Sequence, residues 1–91
     1  MPVVTAQYTL SNVTAAKVVS AEVMQQTAII HNGDHQNSHI IYLGNSGVTA
    51  SNGMHLDVDS TITIPLDPGS ELWAISSNNG TLLTKLVIKQ D

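Results

Sequence analysis

The chain has 91 residues, 42% hydrophobic and 11% charged, with three lysines, no arginine, seven acids and a net charge of -4. That describes one small domain able to bury a core. The charge excludes a phosphate-binding surface, so no nucleic acid is expected as a partner. No run approaches the roughly 18 apolar residues of a membrane span, and the absence of cysteine rules out disulfides and thiolate chemistry.

The opening MPVVTAQYTL has neither a charged region nor a long apolar stretch, so no signal peptide is expected. Pro2, Val3 and Val4 precede any turn signal. Residues 1–13 therefore read as an N-terminal arm that adds a strand to a neighbour, or as a first strand that frays at its end. Residues 14–91 read as the body of the domain. Lys17 to Ala21 has strand character, but Ala15, Ala16, Val19, Val23 and Met24 partly fit a helical stripe, so a short helix over 14–26 competes.

A strand is predicted from Thr27 to Asn32, followed by an Asn-Gly-Asp turn, and another from His39 to Gly44. The Gly-rich stretch GNSGVTASNG (44–53) follows. It lacks the Gly-Lys-Ser/Thr of a P-loop and the Gly-x-Gly-x-x-Gly of a dinucleotide fold, so it reads as a connection and not a phosphate cradle. In TITIPL (61–66), Ile62, Ile64 and Leu66 share one face, and Pro65 places the strand at a sheet edge or at its own end. Strands from Glu71 to Ser76 and Thr81 to Lys89 follow the turns at 67–69 and 78–80. About seven short strands imply an all-β fold, a small antiparallel β-sandwich or barrel.

Three groups of side chains invite chemistry. His31, Asp34, His35 and His39 lie within nine residues and can converge on a metal from a hairpin loop, but solvated histidines at a sheet rim have the same spacing, and no metal or cofactor is assigned. Asp57 and Asp59 alternate with Leu56 and Val58, which would set both carboxylates on one side of a strand, as a solvated charged face, a Ca²⁺-binding pair or a pair that shares a proton. Trp73 is the sole tryptophan, a sugar-stacking platform or a residue packed at a sheet margin. No Gly-x-Ser-x-Gly elbow occurs, and no catalytic residue is assigned.

The order of features carries more than any one motif. AIIHN leads through a polar hairpin to IIYLGNSGVTASNGMHL, then DSTITIPLDPGSELWAIS and a closing GTLLTKLVIKQ. This resembles small virion-associated proteins of tailed bacteriophages at Ile30–Asn32, Ile41–Gly44, Gly47–Thr49, Asn52, Gly53, Leu72–Ile75 and Thr81–Ile88. The resemblance spans residues 27–89 and departs where Trp73 replaces a tyrosine and His31 a glutamine. It implies a non-enzymatic structural protein on the virion, made in the host cytoplasm. A capsid decoration or cement protein that binds between capsid subunits is the leading expectation, and a tail or fibre module that binds host glycan the alternative.

The expected partners are a major capsid protein or other virion protein, with homo-oligomerisation. Interface candidates are Val3 and Val4 of the N-terminal segment, Val48 and Thr49 of the loop, Trp73, and Leu83 and Val87 of the last strand. That strand is apolar on both sides, with Leu82, Leu86 and Ile88 opposite Leu83 and Val87, which implies that both sides are covered.

Overall fold

The computed structural model describes residues 3–33 and 39–89. Its eight strands are β1 (Val3–Leu10), β2 (Ala16–Val19), β3 (Gln26–Asn32), β4 (Ile41–Gly44), β5 (Met54–Leu56), β6 (Thr61–Leu66), β7 (Leu72–Ser76) and β8 (Thr81–Lys89). They form two four-stranded antiparallel sheets, sheet A in the order β1-β8-β3-β6 and sheet B in the order β2-β7-β4-β5. Every connection except β4 to β5 passes from one sheet to the other. This is the double Greek-key winding of a jelly roll, a β-sandwich with two open edges per sheet.

The strands form where alternation and turn chemistry agree. In β6 the isoleucines face inward and pack on the core, and the strand lies at the edge of sheet A, where the missing N–H of Pro65 is tolerated. Ser70 N–H donates to the Asp67 carbonyl at 3.0 Å in the turn before β7, and Gly80 N–H donates to the Leu10 carbonyl at 2.9 Å. The last bond ties the β7–β8 turn to the end of β1.

Two readings of the sequence resolve here. The strand expected over Lys17 to Ala21 forms as β2, and the competing helix does not form over the described residues 14–26. A register shift between Lys17 and Val19 instead lets the consecutive Val18 and Val19 both bury in the core, while Val23 of the supposed stripe is 91% exposed. Nor do Asp57 and Asp59 share a strand face. β5 ends at Leu56, Ser60 N–H donates to the Asp57 carbonyl at 3.0 Å, and Asp59 has φ 60°, so the two acids sit in a tight turn.

The core between the sheets is aliphatic, built from Leu10, Val18, Val19, Ile30, Ile41, Leu43, Leu56, Leu66, Leu72, Leu83 and Val87, with Ala28 and Ala74 where the sheets approach. One buried polar residue stitches its end. Asn32 donates from Nδ2 to the carbonyls of His39 (3.0 Å) and Leu56 (3.1 Å), and its main chain exchanges bonds with Ser60 and Asp59. Satisfied in this way, the amide links β3 of sheet A to β5 of sheet B without the penalty of an unpaired buried group.

Candidate docking surface

The two sheets differ in what covers their outer faces. On sheet B, Tyr42 and Ile75 pair across β4 and β7 and point away from the core. The loop 45–53 folds back over them and inserts Val48, which is 4% exposed. Gly44 and Gly53 make this possible. A Cβ at Gly53 would lie 2.6 Å from the Tyr42 Cβ and 2.8 Å from the Val48 Cγ2, and one at Gly44 would lie 2.9 Å from the Val48 Cγ2. The loop is pinned by its own side chains: Gly47 N–H donates to Asn45 Oδ1 at 2.9 Å, and Thr49 N–H to Asn52 Oδ1 at 2.7 Å. His55 closes the margin with its ring edge-on to Tyr42, centroids 4.9 Å apart.

Sheet A has no such cover among the described residues. Residues paired across antiparallel strands point to the same face. The register therefore places Val3, Ile88, Thr27 and Pro65 in one outer row, Thr5, Leu86, Ile29 and Thr63 in the next, then Gln7, Thr84, His31 and Thr61, and last Thr9 and Leu82. None of these is Asp, Glu, Lys or Arg. Ile29, Leu82, Leu86 and Ile88 are half-buried and belong to neither apolar cluster.

The two lysines of β8 pair with residues of the inner face, Lys85 with Ala6 and Ile30 and Lys89 with Gln26. The Lys85 ammonium donates to the Val18 carbonyl and sits 5.3 Å from the Tyr8 ring centroid, while Lys89 lies 3.6 Å from a Glu22 carboxylate oxygen. A sheet whose lysines turn inward leaves an outer face of threonines and aliphatics, with Gln7 and His31 in one row, that can be dehydrated without stripping water from a lysine, arginine or carboxylate. Depletion of charge marks the central part of protein interfaces.

The interface residues expected from the sequence fall in different places. Val3 is 57% exposed on the outer face of sheet A, and Val4, 38% exposed, turns to the inner side of the same strand. Both lie in β1, paired with β8 along its length. Thr49 is exposed on the loop. Val48 is not a surface residue, because it is the loop's plug on Tyr42 and Ile75. Leu83 and Val87 are also not surface residues: at 0% and 1% exposure they are covered by the chain's own second sheet, with β8 flanked by β1 and β3. The outward side of that strand is the other one, Leu82, Leu86 and Ile88. The two apolar sides were visible in the sequence, but which one faces inward was not.

Trp73 is half-buried at the margin of the Tyr42 cluster. Its Nε1–H donates to Glu71 Oε1 at 3.1 Å, and Lys17 Nζ lies 3.4 Å from Glu71 Oε2. The indole hydrogen bond, with Lys17 adding to it, holds the Glu71 carboxyl below its usual range. Among the described residues, His31 and His39 bond to different partners. His31 Nδ1 is 2.8 Å from Thr61 Oγ1 on the outer face of sheet A, and His39 Nδ1 is 3.1 Å from Thr81 Oγ1. Asp34 and His35 lie outside the described residues, and among the described residues no group of three or more His, Asp or Glu side chains could hold a metal ion.

No protein-family model matches the chain, and no curated protein matches it. Among solved structures, the chain is similar to one from work described as "Bacillus endospore appendages form a novel family of disulfide-linked pili". The match covers 99% of this chain and 87% of that one, with a TM-score of 0.62 and 11% identity. The likeness is one of fold. It agrees with an all-β sandwich, and the cysteine-free sequence has no means of forming disulfide links itself.

Proposed function

We propose that this chain is a non-enzymatic structural protein that works by laying the outer face of sheet A against a larger assembly, as a decoration or cement protein on the capsid of a tailed phage. The observation that carries this reading is the uncharged outer face of sheet A, next to a sheet B whose outer face the chain covers with its own loop. The order of strand and turn motifs over residues 27–89, which resembles small phage virion proteins, supports the virion as the setting. In this reading the partner is the major capsid protein or another virion protein, and the chain acts at the particle surface. Burying Ile29, Leu86 and Ile88 at a junction between capsid subunits would oppose their separation.

A second setting rests on the fold shared with the pilus structure: a fibre subunit whose contacts are noncovalent throughout. Both settings use the chain as a many-copy structural unit. The virion reading is tested by adding purified protein to expanded capsids that lack it and measuring co-sedimentation. The parent chain binds, and the pair Leu86→Glu with Ile88→Glu loses binding while remaining folded. Binding of that folded variant at the parent's level would sink the proposal.

A further inference from the structure

We infer that β1 is the edge at which two copies of this chain pair, antiparallel across a two-fold axis, to make one continuous eight-stranded sheet from the two copies of sheet A. This inference goes beyond the docking of the outer face and does not depend on it, because the pairing belongs to the purified protein with no other particle present.

Sheets A and B end on four strands, and three of them are poor templates for a further strand. β6 carries Pro65, which has no N–H to offer. β2 has four residues, a register shift, and Lys17 in an ion pair with Glu71. β5 has three residues. β1 differs from all of these. It runs for eight residues in unbroken register with β8, and its sequence VVTAQYTL contains no charge, proline or glycine. Bulges, prolines, short length and charge are the devices that keep sheet edges apart, and β1 has none of them.

The absence of charge selects the partner. On a two-fold axis each side chain near the centre stands beside its own copy, so any charged residue would face a like charge. β1 incurs no such repulsion. Side chains that pair across strands must share a face, so the axis passes through a residue and not between two, and the greatest overlap of the two eight-residue strands centres it on Ala6 or on Gln7. With Ala6 at the centre, Tyr8 of the second copy stands opposite Val4. Val4 is 38% exposed and lines a cavity of about 180 Å³ with Val19, Val87, Lys85 and Lys89. An added strand would project a side chain onto the open side of this cavity, in the way that strand-addition sites read alternate residues. The pairing also doubles the uncharged outer face, because both copies of β1 lie at the centre of the joined sheet.

The chain's lack of cysteine makes the test clean. Sedimentation equilibrium over a concentration series should show the parent chain passing from monomer to dimer. Thr5→Lys with Gln7→Lys, at two exposed outer-face positions, should raise the dissociation constant about tenfold or more while the far-ultraviolet spectrum stays unchanged. Under mild oxidation, one of the single variants Ala6→Cys and Gln7→Cys should form a disulfide-linked dimer, since residues directly opposite in an antiparallel pair lie within disulfide reach. Thr63→Cys on β6 should stay monomeric. A parent chain that remains monomeric at every concentration overturns the inference. So does a folded lysine variant that dimerises like the parent, or cross-linking through Thr63→Cys that equals that of the β1 variants.

Discussion

Replacing Val48 with alanine tests whether the Gly-rich loop is a fixed cover on sheet B. Val48 is 4% exposed and contacts Tyr42 and Ile75. The substitution removes two buried carbons at about 0.8 kcal/mol each, and the pinned loop cannot fully collapse into the space, so the expected loss is about 1.5–3 kcal/mol. For a domain of this size that lowers the melting temperature on the order of 10 °C. Urea unfolding followed by tryptophan fluorescence is the natural assay, because Trp73 packs against the same cluster. Gly53→Ala should destabilise as well, by about 1–3 kcal/mol, since its Cβ cannot stand 2.6 Å from that of Tyr42 without a shift. Ser46→Ala, at an exposed loop position, should change stability by less than about 0.5 kcal/mol. If Val48→Ala is as silent as Ser46→Ala, the loop is not docked and the outer face of sheet B is open.

Asn32→Ala should cost about 2–4 kcal/mol in the same assay, because it leaves the carbonyls of His39 and Leu56 without their amide donor; a loss below about 0.5 kcal/mol would remove Asn32 as the stitch between the sheets. The faces of β8 separate by substitution: Leu83→Glu should abolish folding, whereas Leu86→Glu should cost about 1 kcal/mol, and equal effects would refute the register. Acid titration supplies a third check. Because the folded-state pKa of Glu71 is lowered, its contribution to stability is present above the unfolded value and is lost as pH falls through the folded one. Trp73 fluorescence should therefore show a step with its midpoint below the ordinary glutamate value of 4.5, absent in Glu71→Gln. A midpoint at or above that value would contradict the hydrogen bond.

The parts of the fold legible in the sequence were those where alternation and turn chemistry are local. β6 announced its inward isoleucines and its edge position through Pro65, and β3, β7 and β8 appeared close to their observed spans. β5 was invisible because its three residues emerge from a Gly-rich connection and pair only with β4. β2 was legible as a strand, but a helix competed with it because the bulge that buries both Val18 and Val19 breaks the period of two and imitates a helical stripe. The site was harder to read. Alternation in β8 shows two apolar sides, but the core side is decided by strands distant in sequence: Ala28 and Ile30 of β3 and Tyr8 of β1 lie on the side of Leu83 and Val87. Val48 resembled a surface loop residue until Tyr42 was found beneath it. The missing charge on the outer face of sheet A is a property of four strands in register, which no single segment displays.

That face is the central claim, and an electron-microscopy reconstruction of expanded capsids with this chain added, the assembly proposed for it, tests it most directly. The account predicts Ile29, Leu86 and Ile88 buried against a neighbouring protein, with the Val48 loop folded onto its own sheet. A reconstruction in which the outer face of sheet A lies in solvent while the loop side makes the contact would contradict it.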